Sequence, residues 1–400
     1  MNKKQFSILL VLFLVVGGLG LYVARQNKAG WSPSGSSTGQ NVLADFNVND
    51  VVHVLIKQSQ GEVNVRKKGD IWTVAERNDY PANFQQISEF ILKMHDIKSV
   101  QSMQVGASQR GRLEVEEPGK GQKAGTVVEF RDASEKPVRH FILGKSHTHK
   151  SGDASPMGEG GYPDGRYILA SADSDHVDVV SDPLSMAEPK PDQWLDKTFF
   201  KVERPASIDL VSSVATNSWK VSRESESGEW KLDAPKTEEH LDITKTSSFA
   251  SGLSNPSFSD VVTNSSEASS NIAAGLQLNL GTFDHFTYHL TVATNVGENY
   301  FLSLKVAATL PKERTAAKDE KPDDKKRLDK EFADKNKQLE EKLKQEQGYE
   351  KWVYQVSKWS IDPLLKERNQ LLVEKKPEVK AAGTNALPFE IPNPEIPPAK

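Results

Sequence analysis

Gly69 to Met94 reads GDIWTVAERNDYPANFQQISEFILKM: a strand with a central tryptophan, a turn closing on Pro81, then a short amphipathic helix. The same order returns in the second half of the chain as Gly228 to Leu253, GEWKLDAPKTEEHLDITKTSSFASGL. Ile71-Trp72-Thr73-Val74 answers to Glu229-Trp230-Lys231-Leu232, and Pro81 to Pro235. With one residue inserted, Phe84, Ile87, Ile91 and Met94 fall opposite Ile243, Thr246, Ala250 and Leu253, a spacing that lays one apolar stripe along each helix. A repeat on this scale decides the fold expected of the whole chain.

The pairing extends both ways. Upstream, Val52-His53-Val54-Leu55-Ile56 matches Ile208-Asp209-Leu210-Val211. Downstream, Thr126-Val127-Val128-Glu129-Phe130 is set against Thr287-Tyr288-His289-Leu290-Thr291, and His140-Phe141-Ile142-Leu143 against Tyr300-Phe301-Leu302-Ser303. Each unit closes on Asp-Pro-Leu, Val180-Ser181-Asp182-Pro183-Leu184 against Ser360-Ile361-Asp362-Pro363-Leu364. Strands outnumber helices and follow one another closely enough for hairpins. The fold class expected is α+β: an N-terminal transmembrane helix followed by two tandem repeats of antiparallel sheet plus a packed helix.

Composition narrows the function. The chain has 400 residues, about a third hydrophobic, enough for two cores. A formal charge of -4, with the basic residues scattered among acids, gives no field to recruit nucleic acid. The absence of cysteine excludes thiol chemistry, disulfides and thiolate metal sites.

Taken in order, residues 1–26 contain the apolar run Phe6 to Ala24, FSILLVLFLVVGGLGLYVA, behind Lys3 and Lys4. At about 1.5 Å per residue its span of roughly 28 Å suits a bilayer core. It is read as a single-pass inner-membrane anchor, with the bulk of the chain extracytoplasmic, in the periplasm. Residues 27–42 are Ser- and Gly-rich and read as a flexible linker. The first repeat takes residues 43–198 and the second 199–376. Within the second, a charged insertion at 310–350 reads as a helix from Asp323, with Glu331-Lys335 and Glu340-Lys344 at i, i+4, a thin stripe of Leu328, Phe332, Leu339 and Leu343, and Gly348 as its stop. Residues 377–400 form a Pro-rich tail without packed structure.

Candidate chemistry is sparse. Gly144-Lys145-Ser146 resembles the end of a phosphate loop, but Arg139 stands where that motif needs glycine. His147 and His149, at i, i+2 with Asp153 nearby, could share a metal, and Asp284-His285 with His289, the two histidines four apart on a stretch that alternates like a strand, is the other carboxylate–imidazole group. The plainer reading of both groups is polar surface. Trp72 and Trp230 read as equivalent core residues rather than a stacking pair. No catalytic, cofactor-binding or metal residue is assigned, no cofactor is expected, and the chain is read as not an enzyme. The His-bearing loop, Lys145 to Gly165, and the charged helix elaborate the same hairpin of each repeat in this reading, and such tips are where partner contacts are carried.

Together, the N-terminal run, the Gly-Asp-Ile-Trp-Thr-Val strand with its Asn83 to Met94 helix, Phe141-Ile142-Leu143-Gly144, the Tyr167 strand, and Val180-Ser181-Asp182-Pro183-Leu184 with Trp194-Leu195-Asp196-Lys197 resemble the bacterial domain of unknown function 4340. The likeness covers about Val51 to Phe200 well and the second half more weakly. It implies a membrane-anchored, extracytoplasmic protein associated with ABC transporters of the gliding-motility type, with no catalytic residues to carry over. The function expected is therefore a non-enzymatic accessory or scaffold protein, held to the membrane by its N-terminal helix and binding protein partners in the envelope, such as ABC-transporter subunits. The alternative is an envelope hydrolase or carbohydrate-binding protein that uses the cleft between the repeats.

Overall fold

The computed structural model describes residues 31–34, 38–43, 46–120, 123–149, 162–171, 174–237, 239–263, 270–294, 299–316 and 320–373. Among them the first half of the chain forms β1 (Trp31–Ser34), β2 (His53–Gln58), β3 (Gly61–Lys68), β4 (Ile71–Val74), β5 (Tyr80–Pro81), β6 (Ser99–Val105), β7 (Thr126–Arg131), β8 (Pro137–His149), β9 (Tyr162–Leu169) and β10 (His176–Val180), with helix α1 (Phe84–Asp96). The second half forms β11 (Pro205–Val211), β12 (Trp219–Ser222), β13 (Lys231–Leu232), helix α2 (Ile243–Ser254), β14 (Phe258–Val261), β15 (Leu276–Thr282), β16 (Phe286–Thr294), β17 (Asn299–Ala308), helix α3 (Pro322–Gln347) and β18 (Tyr354–Ser357).

Both sheets are antiparallel. The first runs β1-β6-β10-β9-β8-β7-β2-β3-β4-β5, and the second, written in the same direction, β14-β18-β17-β16-β15-β11-β12-β13. From β6 to β4 the two orders correspond strand for strand. The helix ends are equivalent too. Asn83 caps α1 by accepting from Gln86 N, and Asp242 caps α2 by accepting from Thr244 N, satisfying an amide that has no partner inside the helix. The caps' own amides donate to a returning segment, Asn83 to Trp194 O at 2.9 Å and Asp242 to Leu371 O at 2.8 Å. Bridges Ala82–Leu195 and Leu241–Leu372 flank them. Each repeat is thus tied shut by the chain that leaves it.

The strand correspondence shifts part of the expected pairing. The register Thr126↔Leu143 in β7–β8 answers Leu276↔Val292 in β15–β16, so β7 matches β15 rather than the Thr287–Thr291 stretch. Gly125 and Gly275, just before those strands, agree with this. Consequently α3, between β17 and β18, elaborates the counterpart of the β9–β10 connection, whereas the His-bearing loop joins β8 to β9. The two insertions therefore sit on neighbouring connections, not on the same hairpin. The helix stripes hold except at their first positions, with Ile87, Ile91, Met94 and Thr246 buried as expected. Phe84 and Ile243 are exposed, and the buried aromatic positions are Phe90 and Phe249. With Ile87, Ile91 and Met94, Phe90 fixes α1 to its sheet, each buried side chain contributing about 1.5–3 kcal/mol.

The expected linker contributes a strand. Trp31–Ser34 pairs antiparallel with β6 and covers that sheet edge. Of the charged insertion, the helix and its stop stand as read, with Gly348 as C-cap. Its ion pairs differ: Glu331 is held by Arg327, and Lys335 reaches Asp284.

The membrane component of the expected fold is corrected. Among the described residues no helix is long and apolar enough to cross a membrane. The one with sufficient length, the 26-residue α3, is dominated by charged side chains. Phe6 to Ala24, on which a single-pass inner-membrane placement with a periplasmic bulk rested, lies outside the described residues. The fold is α+β, two antiparallel sheets with packed helices, and the structure gives that placement no support. Residues 377–400 likewise lie outside the described residues.

The repeats meet end to end. The β4–β5 end of the first sheet abuts β14, the outer strand of the second. Tyr80 lies edge-on to Trp352 at 4.7 Å and to Phe258 at 5.7 Å, and Phe199 of the connecting segment packs on Phe258 and Tyr354 at 5.0 and 4.6 Å. Such tilted aromatic contacts bury large areas at favourable geometry. This aromatic cluster occupies the boundary where an inter-repeat cleft was an alternative site.

Candidate functional site

At the end of the second sheet, the start of β15, the end of β16 and the start of β17 border a cavity of about 700 Å³. Its floor is Leu276, Val292 and Ala293, and its wall is completed by Pro363, Leu365, Lys366 and Gln370 from the closing segment. Gly275 is required there because an added Cβ would stand 2.7 Å from Val292 O. Trp359 also borders it, with 87% of its surface exposed. It rides on a helical turn, Lys358–Ile361, whose Ile361 is buried and fixes the turn in place.

One polar pair is built into the wall. The Tyr300 hydroxyl donates to Asp362 Oδ1 at 2.6 Å, and the Lys358 ammonium lies 5.7 Å from the centre of the Tyr300 ring. Burial, then the bond to Asp362, pushes the Tyr300 hydroxyl up to about 12, so it stays protonated and donating. A mostly apolar hollow with a few fixed polar groups and an aromatic side chain at its border has the make-up of a binding site.

The first repeat has a cavity at the equivalent place, about 540 Å³, with opposite chemistry. Strand register sets Leu143 against Val292, Gly144 against Ala293, and Arg166 against Tyr300. Arg166 is half-buried there and donates to Gly144 O at 2.9 Å and Leu184 O at 3.1 Å, with desolvation lowering its pKa. Lys123, Lys145, Glu114 and Gln58 complete a polar lining. The bordering tryptophan has no counterpart: Val180-Ser181 runs directly into Asp182-Pro183-Leu184, whereas Lys358–Ile361 separates Val356-Ser357 from Asp362-Pro363-Leu364.

The residues singled out by sequence do not gather. His147 bonds Asp164 across β8–β9 at 2.6 Å. His149 lies at the end of β8, and Asp153 lies outside the described residues. In the other sheet, His285 takes a left-handed turn conformation with φ 63°, and His289 bonds Asn279 at 2.8 Å. Asp284 is held by Arg204 and Lys335. Among the described residues no group of three or more His, Asp or Glu is placed to hold a metal ion. Gly144-Lys145-Ser146 lies inside strand β8, which runs on to His149 where the phosphate loop would turn into a helix, and Gly144 is explained by packing, since a Cβ would meet Val115 Cγ1 at 2.7 Å. Trp72 is buried, and Trp230 packs on the core beside Phe249 at 6.3 Å.

A family model described as Domain of unknown function (DUF4340) matches residues 72–275, about half of the chain. The chain belongs to this family. The DUF4340 match begins at Trp72 and extends through Trp230 to Gly275, so it takes in much of the second repeat as well as the first. No curated protein and no solved structure matches the chain.

Proposed function

We propose that this chain is a non-enzymatic accessory protein that binds a protein partner through the cavity of its second repeat. One observation carries the reading: two copies of the same site have diverged, and the second has gained a turn whose most exposed feature is a tryptophan beside an apolar hollow. An exposed tryptophan alone needs no explanation, but this one borders a mostly apolar hollow, and tryptophan, with tyrosine and arginine, is enriched among dominant contacts at interfaces. The polar groups present favour holding over reacting. Tyr300 is a neutral donor, and Asp362 accepts its proton without taking it. The family resemblance supplies the class of partner, subunits of an ABC transporter of the gliding-motility type.

The test is chemical crosslinking in intact cells followed by purification of the tagged chain. Trp359→Ala should lower recovery of the partner by about 30-fold, the loss given by a dominant tryptophan contact, while the folded state is unchanged by circular dichroism. Equal recovery of the same partner from Trp359→Ala overturns the reading.

A further inference from the structure

The same cavity lies beside the origin of the C-terminal tail. Gln370 lines it, and the described chain ends three residues later at Val373. Residues 387–398, LPFEIPNPEIPP, lie outside the described residues and combine five prolines with Leu387, Phe389, Ile391 and Ile396. Proline-rich segments of this kind favour an extended form that docks against aromatic-lined grooves at low entropic cost. Here the groove offers Trp359 and the Tyr300 ring. Charge agrees with this: Lys366 lines the cavity and Lys358 stands at Tyr300, while Glu390 and Glu395 punctuate the proline-rich stretch. Asp362, the acid in the wall, is already bound by Tyr300.

We propose that residues 387–398 occupy the Trp359 cavity of their own chain and compete with the partner for it. This rests on the reading that the cavity is a binding site. Reach is sufficient, because residues 374–386 span up to about 45 Å when extended. A tether of that length gives the tail an effective concentration on the order of millimolar, so even an affinity near that value fills the cavity about half the time. The partner then binds by displacing the tail, and its apparent affinity falls accordingly.

The chain contains no cysteine, which permits a direct test in the full-length protein. Lys366→Cys combined with Glu390→Cys should form an intramolecular disulfide under mild oxidation at least tenfold faster than Ile243→Cys combined with Glu390→Cys. Ile243 is exposed and close to the tail's origin, since its neighbour Asp242 bonds Leu371, but it is not part of the cavity lining. Adding Trp359→Ala should bring the two rates together. Equal rates without that substitution, or a product that is the disulfide dimer of two chains, overturn the proposal. If the disulfide test fails while partner recovery still depends on Trp359, the tail proposal falls and the binding site stands; if both fail, the site itself is wrong.

Discussion

Arg77 of the first repeat and Asp260 of the second form a two-pronged ion pair, Nε to Oδ1 at 2.6 Å and Nη2 to Oδ2 at 2.7 Å. Both side chains are about one-fifth exposed, and the bond to Asp260 raises the Arg77 pKa despite its burial. The planar fork of arginine makes this contact where lysine cannot. A double-mutant cycle on Arg77→Ala and Asp260→Ala, followed by denaturant unfolding, should give a coupling of about 1–3 kcal/mol. Arg77→Lys should recover less than half of it. A coupling below about 0.3 kcal/mol would mean the repeats are not held together by this pair.

The duplication predicts matched costs. Phe90→Ala and Phe249→Ala should each destabilise by about 3–5 kcal/mol, because both rings are fully buried under their sheets. Phe84→Ala and Ile243→Ala, at the exposed first position of the same helices, should stay within about 0.5 kcal/mol of wild type. Urea midpoints that rank the four variants otherwise would contradict the equivalence.

Much of this arrangement was legible in sequence because its cues are local. Trp72, in a strand, and Trp230, just ahead of one, each precede a proline, and a helical stretch follows within a few residues. What escaped is non-local. Leu276-Gln277-Leu278-Asn279-Leu280 alternates as a strand should, but every strand of a meander carries that pattern. Local matching therefore set Thr126–Phe130 against β16 when its counterpart is β15. Phe90 and Phe249 lie beside the apolar stripe read from sequence, and that the buried face widens to include them depends on the neighbouring strands. The cavity was hidden for the same reason, since its floor comes from three strand ends and part of its border from a turn far along the chain. The readable trace was the four residues Lys358–Ile361 inserted before the second Asp-Pro-Leu.

Glu346, near the end of α3, is 4% exposed and accepts from Lys201 N at 3.0 Å and from the Tyr288 hydroxyl at 2.8 Å. Burial outweighs those bonds and raises its pKa above the ordinary 4.5. Between the unfolded and the raised folded value the native state binds more protons, so stability contributed at low pH is lost as pH rises through that window. Relative to Glu346→Gln, wild type should therefore lose stability progressively as pH increases above about 4.5. Parallel stability profiles for the two proteins would show that this carboxyl is not desolvated.

Tyr300→Phe removes the hydroxyl that orients Asp362 and should cost about 1 kcal/mol in thermal or urea unfolding. Trp359→Ala should change stability by no more than about 0.5 kcal/mol, because so little of that side chain is packed. If Trp359→Ala unfolds the chain, the tryptophan is structural and its exposure has been misread.

The most direct test places a photo-crosslinking amino acid at Lys366, inside the cavity, and at Ile71, an exposed position on the first repeat, in cells that express the full chain. The account predicts a discrete adduct to another protein from position 366, lost when Trp359→Ala is added, and no such adduct from position 71. Identical adducts from both positions, or adducts from position 366 that survive Trp359→Ala, would contradict it.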